Sequence, residues 1–260
     1  MLIDSHCHLN MLNLDNYDGD LDKVIDSAAS KGVGSIICIS VDLATLPDVL
    51  SIADRFEHVY ASVGIHPSEQ QEKPITSDVL VDLAKHPKVV AIGETGLDYY
   101  YNDTGFDLMQ DQFRHHIQAA RQLNKPLVIH SRDARKDTIA ILKEEQADSV
   151  GGVMHCFTES WEMAQQALDL GFYISFSGIV TFKNAKNVQE VAAKVPLDRI
   201  LVETDAPYLT PVPYRGKPNY PEYVTYVAEK LAELHSVSVE EITRVTTENC
   251  SQLFSIPIKI

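Results

Sequence analysis

The sequence has no apolar run of the roughly 20 residues that a membrane-spanning helix needs. The segment from Met1 to His8 carries neither a basic region nor a cleavage site, so we expect a cytoplasmic protein that does not associate with a membrane. Low-complexity tracts, Gly/Ser linkers and long charge blocks are missing as well. A single domain over residues 1–260 is therefore predicted.

Cysteine and positive charge are both scarce. The four cysteines form no C-x-x-C pair, which excludes a zinc knuckle and a thioredoxin-like motif and leaves reduced, mostly buried thiols as the expectation. The sequence has 22 Lys and Arg residues and 37 Asp and Glu residues, which gives a formal net charge of −15. Broad binding to duplex DNA depends on many cations that release counterions. Any contact with nucleic acid is thus expected to be local and metal-assisted, and the sequence indicates no protein partner.

A Gly-rich phosphate loop is absent too, although short apolar runs alternate with segments of helical period along the chain. This alternation predicts a (β/α)8 TIM barrel, for which 260 residues is a typical length. An open doubly wound sheet is the alternative, and the missing loop disfavours it. The predicted strands are residues 2–9, 35–41, 59–66, 89–97, 126–131, 152–157, 173–177 and 200–205. Helices are predicted at 107–123, 220–235 and 239–254, and a loop over the barrel mouth at 207–221.

Histidines and carboxylates recur at the carboxyl ends of these predicted strands. In the segment DSHCHL, the alternation of strand side chains points His6 and His8 to the same side. Later strands carry residues of the same kind at equivalent positions: Glu94, His130, His155 and Asp205. Strand ends of a barrel meet at one mouth. Burying such groups together without a cation would cost several kcal/mol, so the sequence predicts a metal centre there.

The ligand set offers only nitrogen and oxygen, which leaves zinc, manganese and magnesium open. A single catalytic zinc usually takes about three protein ligands, so we expect two divalent ions with Glu94 as the candidate bridge. Two ions activate water and neutralise a phosphoryl group, which predicts hydrolysis. Asp205 is the candidate general base, and Glu203 is expected to face the same side and to orient water or a histidine.

Basic and aromatic residues near the strand ends are candidates for substrate contact. His66 lies in the segment GIHP, Arg132 follows the fifth strand, and Arg215 lies in the mouth loop; all three are expected to contact phosphate groups. Residues 99–101 are three consecutive tyrosines. We interpret them either as a stacking surface for bases or as a loop packed on the barrel rim.

The motifs DSHCHL, GIHP, AIGETGLDYYY, PLVIHSRDA, GGVMHCF, YISFSGIVTF and LVETDAPYL together resemble the TatD family of metal-dependent deoxyribonucleases. The resemblance spans residues 2 to about 254. It implies a TIM barrel of the amidohydrolase superfamily and carries the metal-ligand role onto His6, His8, Glu94, His130, His155 and Asp205. It also implies magnesium- or manganese-supported DNase activity, often exonucleolytic, on DNA ends or single strands. Phosphotriesterase-like barrels place a carbamylated lysine where this chain has Glu94.

Two other classes of function remain open. Some TatD relatives are linked to removal of D-amino acids from tRNA, so a metal-dependent ester or amide hydrolase, such as a D-aminoacyl-tRNA deacylase, is the alternative enzyme. Charge reversal at Arg132 or Arg215 is expected to impair a nuclease far more than a deacylase that acts on a neutral bond. A non-catalytic scaffold is the third class, for which Glu94→Gln would change no rate.

Overall fold

The computed structural model describes residues 1–69, 73–101 and 104–258. Within them, eight parallel strands pair in sequence order around a nearly closed barrel. The predicted (β/α)8 TIM barrel is confirmed, and the open doubly wound sheet is excluded. The strands are β1 (Leu2–Cys7), β2 (Val33–Cys38), β3 (Val59–Val63), β4 (Val89–Asp98), β5 (Leu127–Arg132), β6 (Gly152–Met154), β7 (Tyr173–Phe176) and β8 (Ile200–Val202).

Helices surround the strands, and most of them lie between consecutive strands. In the described part of the chain they are α1 (Leu21–Ser30), α2 (Leu46–Arg55), α3 (Ser77–Leu83), α4 (Phe106–Leu123), α5 (Arg135–Glu144), α6 (Trp161–Asp169), α7 (Lys186–Ala192), α8 (Val224–His235) and α9 (Val239–Phe254). Side-chain caps begin three of the described α-helices: the Asp20 carboxylate accepts from the Asp22 N–H, the Ser160 hydroxyl accepts from the Met163 N–H, and the Ser238 hydroxyl accepts from the Glu241 N–H. None of the described helices has both the length and the apolar character that a membrane crossing requires.

The helix predicted at 107–123 matches α4, except that α4 begins one residue earlier, at Phe106. The apolar face of α4 is buried, with Phe113, Ile117 and Ala120 all fully inaccessible. Several strands, by contrast, end earlier than predicted. The backbone leaves the ladder after Met154 and after Val202, and the residues that follow include two with positive φ, Cys156 at 45° and Asp205 at 55°. The functional side chains there project from turns rather than from strands.

The barrel is closed between its first and last strands by hydrogen bonds at its carboxyl end. The Asp205 N–H donates to the His6 carbonyl over 2.9 Å, and the His8 N–H donates to the Ala206 carbonyl over 2.8 Å. The same bonds hold the turn that carries Asp205 against the end of β1. Closure of the fold and placement of this carboxylate therefore depend on one set of contacts.

The interior of the barrel is apolar at the amino ends of the strands. Ile3, Ile37, Val128 and Leu201 form a buried cluster with other inward-facing strand residues, and Phe254 of α9 packs against it from below. Apolar burial of this kind stabilises the fold by roughly 25 cal/mol for each Å² removed from water. Because this end is filled, the barrel interior opens only at the carboxyl ends of the strands, where the histidines lie.

Candidate metal centre

Glu94 lies at the centre of a cluster of histidines at the carboxyl end of the barrel. Its Oε1 lies 2.9 Å from His155 Nε2, 3.1 Å from His130 Nδ1 and 3.4 Å from His66 Nε2. Its Oε2 lies 3.2 Å from His6 Nε2. The side chain is only 3% exposed. One buried carboxylate thus divides its two oxygens between different groups of imidazoles.

A second group forms around Asp205. Its Oδ1 lies 3.5 Å from His6 Nε2 and 3.4 Å from His8 Nε2, and the two imidazole nitrogens are 3.3 Å apart. His6 also stacks on His155, with ring centroids 3.8 Å apart and ring planes at 13°. The predicted convergence of His6 and His8 is therefore present in the structure.

The hydrogen-bond partners fix which nitrogen of His8 faces the cluster. Its Nδ1 lies 3.1 Å from the Ile39 carbonyl oxygen, which can only accept, so Nδ1 carries a proton. In the neutral ring, the lone pair of Nε2 then points at Asp205 and His6. Such a lone pair facing a carboxylate needs a proton or a cation between them, and a metal-binding imidazole is held in this way.

Two further histidines follow the same pattern. His155 Nδ1 lies 3.1 Å from Glu203 Oε1, and His130 Nε2 lies 3.0 Å from Asp98 Oδ2. In each case the outer nitrogen donates to a carboxylate and the inner nitrogen faces Glu94. His6 Nδ1 and Glu203 Oε2 are buried without a hydrogen-bond partner among the described residues. These donors and orphaned atoms fit a cation with nitrogen and oxygen ligands.

Burial and neighbouring charges shift the pKa values of the carboxylates and imidazoles in the cluster. Burial opposes ionisation of Glu94, yet the surrounding histidines hold the pKa of its carboxyl group well below the usual range. Burial lowers the pKa of His155, but Glu94 and Glu203 outweigh it and raise that pKa well above its ordinary value. The pKa of His8 is likewise raised, because Asp205 outweighs the effect of burial. The carboxylates therefore favour a proton or another cation at the inner nitrogens of His155 and His8.

The cluster lies in a cleft of about 630 Å³ at the barrel mouth. His66 lies within the cluster, where burial lowers its pKa to about 4. Arg132 lines the cleft, whereas Arg215 does not; the Arg215 guanidinium lies 3.8 Å above the ring of Phe182. Of the three consecutive tyrosines, Tyr101 lines the cleft and is 66% exposed.

The structure brings together all six side chains that the strand-end pattern singled out. Among the described residues, they and their neighbours form three sets of ligand-type atoms, two of which share His6. The sets are His6, His155 and Glu203; His6, His8 and Asp205; and His66, Glu94 and His130. Glu203 and Asp205 do reach the same cluster, but not for the reason expected. Strand alternation does not apply to them because β8 ends at Val202.

Sequence reasoning missed Asp98, the buried partner of His130. The signal for it was present, because Asp98 follows Glu94 by an even number of residues on the same strand and therefore faces the same side. Among the cysteines, three are buried as expected, and Cys156 is half-buried in the cleft wall.

A barrel with buried histidines and carboxylates at its open end is the architecture of metal-dependent hydrolases. The family model described as "TatD related DNase" matches residues 3–255, and the chain belongs to this TatD family of hydrolases. It is 51% identical to the "Uncharacterized metal-dependent hydrolase YcfH" of Escherichia coli, over 98% of this chain and 96% of the relative. It is 46% identical to the protein of the same description, YabD, of Bacillus subtilis, over 98% of this chain and 100% of the relative.

A solved structure of YjjV, a TatD homologue from Escherichia coli, superimposes with a TM-score of 0.89. The two sequences are 31% identical, and the match covers 98% of each chain. The resemblance inferred from the sequence motifs is thereby confirmed at the level of the family and of the fold.

Proposed function

We propose that this protein is a deoxyribonuclease that removes nucleotides from DNA ends or single strands with two divalent metal ions. The observation that carries this proposal is the division of Glu94 between two groups of histidines, since a single carboxylate in that position suits a bridge between two cations. Membership of a family of metal-dependent hydrolases supports it.

The proposed ligands are the six side chains of the strand-end pattern. His6 and His8 with Asp205 would hold one ion, and His130 and His155 would hold the other, with Glu94 between them. His66 lies close enough to Glu94 to contribute as well, at 3.4 Å. Magnesium, manganese and zinc are all compatible with these nitrogen and oxygen donors. Divalent ions at this place would make water nucleophilic at neutral pH and offset the negative charge of a phosphodiester.

The exposure of the carboxylates assigns them different roles. The Asp205 side chain is 13% exposed, against 3% for Glu94 and 0% for Glu203. Asp205 is therefore the most accessible of these three carboxylates at the cleft, and we propose that it accepts the proton of the attacking water. Glu203 is closed off from the cleft, and its hydrogen bond to His155 Nδ1 assigns it the orientation of that imidazole.

The shape of the cleft suits the end of a nucleic acid. Its volume of about 630 Å³ lies in the range of small-molecule sites rather than of long grooves. Arg132 supplies a guanidinium for phosphate, and the exposed rings of Tyr101 and Tyr208 are available for stacking on bases. The net charge of −15 also disfavours binding along the side of a duplex.

The experiment measures release of mononucleotides from single-stranded DNA by metal-stripped protein before and after addition of Mg²⁺ or Mn²⁺. We expect activity only with metal, and Glu94→Gln should reduce it by at least about a thousandfold, because the variant loses the charge between the two proposed ions. Calorimetric titration of the stripped protein should give two ions per chain.

Glu69→Gln is the matched control, because this exposed glutamate lines the same cleft outside the cluster. It should keep full activity. Metal binding without hydrolysis of DNA would refute the nuclease assignment, and aminoacyl esters would then be tested as substrates. A stripped protein that binds no divalent ion would refute the metal centre itself.

A further inference from the structure

Asp98 ends β4, and its fully buried carboxylate makes contacts in two directions. Its Oδ2 lies 3.0 Å from His130 Nε2. Its Oδ1 accepts the backbone N–H groups of Tyr100 and Tyr101, over 2.9 Å and 3.0 Å. One oxygen therefore faces the cluster, and the other holds the turn that follows the strand.

The contact with His130 determines which nitrogen of that ring faces Glu94. A carboxylate oxygen accepts and cannot donate, so the proton of the neutral ring lies on Nε2. The lone pair of Nδ1 then faces Glu94 Oε1 over 3.1 Å. With the opposite tautomer, an N–H group would point into the proposed metal site, and His130 could not act as a ligand.

The turn that Asp98 holds also fixes the position of the Arg132 guanidinium. Asp98 and Arg132 are register partners of β4 and β5, which places the arginine beside the turn. The guanidinium carbon lies 3.9 Å from the ring centre of Tyr100 and 4.7 Å from that of Tyr101. Among residues 1–69, 73–101 and 104–258, no carboxylate forms an ion pair with Arg132. Stacking restricts the plane of the guanidinium and leaves its N–H edge available for an anion.

We propose that Asp98 is a positioning residue that sets the metal-facing nitrogen of His130 and the phosphate-binding guanidinium of Arg132 at the same time. The proposal rests on the function proposed above. One buried carboxylate would then fix the position of the proposed metal site relative to the phosphate-binding arginine. Displacement of Asp98 would disturb His130 and Arg132 together, whereas a substitution at His130 or at Arg132 would disturb only that residue's own contact.

Two substitutions separate the two contacts. In Asp98→Asn, the amide oxygen can still accept from the turn, while the amide N–H faces His130 Nε2 and favours the opposite tautomer. We expect Mn²⁺ affinity, measured by calorimetry on stripped protein, to fall about 10- to 100-fold. Binding of thymidine monophosphate in EDTA should change less than about twofold. Asp98→Ala loses both contacts and should lower the affinity for both ligands, with the affinity for the nucleotide falling by about tenfold.

Arg132→Gln is the matched control, since it should weaken the nucleotide by about tenfold or more and leave Mn²⁺ affinity unchanged. Nitrogen NMR of the imidazole rings gives a readout that a purely structural role would not move. His130 should carry its proton on Nε2 in the native protein and on Nδ1 in Asp98→Asn. This measurement needs only the isosteric variant, so it holds even where Asp98→Ala does not fold.

The proposal is overturned if the His130 tautomer is the same in native protein and Asp98→Asn, or if Asp98→Ala binds both ligands as the native protein does. These results differ from failure of the proposed function, in which the native protein itself binds no divalent ion or releases no nucleotides from DNA.

Discussion

The buried histidine of α4 should make the stability of this protein depend on pH. His116 is fully inaccessible; its Nε2 accepts the Ile65 N–H over 3.1 Å, and its Nδ1 donates to the Gln112 carbonyl over 2.7 Å. A second proton would have to enter at Nε2, where it would face the Ile65 donor without water. Burial accordingly lowers the pKa of His116 from 6.5 to about 4.

Because the folded pKa is the lower one, the unfolded chain binds more protons between these two values, and acid favours unfolding. The stability contributed by neutral His116 is fully present above about pH 6.5 and is lost as the pH falls toward about 4. At about 1.4 kcal/mol for each pH unit, protonation linked to His116 lowers the free energy of unfolding by about 2 kcal/mol at pH 5 and by about 3 kcal/mol at pH 4.

Urea unfolding of native protein and His116→Gln at about pH 7.5 and about pH 5 isolates this contribution. The glutamine does not titrate and can still accept the Ile65 N–H. All other ionisable groups are common to both proteins, so the free energy of unfolding of the native protein should fall by about 2 kcal/mol more than that of the variant. Equal losses in both proteins would refute the reasoning. NMR titration of the His116 ring in native protein, with a midpoint near neutral pH, would also refute it, and this test does not require the variant to fold.

Three further substitutions test the site. Gly96→Ala would place a Cβ 2.0 Å from the His130 carbonyl oxygen at a φ of 139°, so urea unfolding should show a loss of at least about 2 kcal/mol; an unchanged midpoint would contradict this packing. Glu203→Gln removes the charge that orients His155 and should lower Mn²⁺ affinity about 10- to 100-fold in calorimetry, with unchanged affinity as the opposing result. Arg132→Gln should raise the KM for DNA ends about tenfold without a matching fall in kcat, and an unaltered KM would remove Arg132 from the substrate contacts.

The barrel could be predicted because strands buried on both faces leave a strong signal in the sequence. Runs such as residues 35–41 are almost wholly apolar, and polar-apolar segments separate them. The ends of the strands were harder to predict. Cysteine rarely adopts positive φ, and aspartate does so more often than most residues but also lies in ordinary strands and loops, so residue type alone did not show that the backbone turns at Cys156 and Asp205.

The first layer of the candidate site was also predictable, since histidine and carboxylate at the ends of several strands point to one mouth. The partners behind that layer were not all found. Asp98 was recognisable from its spacing to Glu94, whereas His116 was not, because its hydrogen bond to Ile65 joins elements far apart in the chain. Contacts of this kind depend on how α4 packs on the barrel, which residue patterns do not specify.

The hydrogen bonds that join the turn at Asp205 and Ala206 to His6 and His8 also determine when the centre can form. During synthesis, the first histidines emerge from the ribosome early, while Asp205 and the turn that holds it are among the last parts of the barrel to appear. A growing or prematurely released chain therefore has imidazoles but no complete site. Any hydrolytic activity of this centre can then arise only after the turn that carries Asp205 has been made and the barrel has closed.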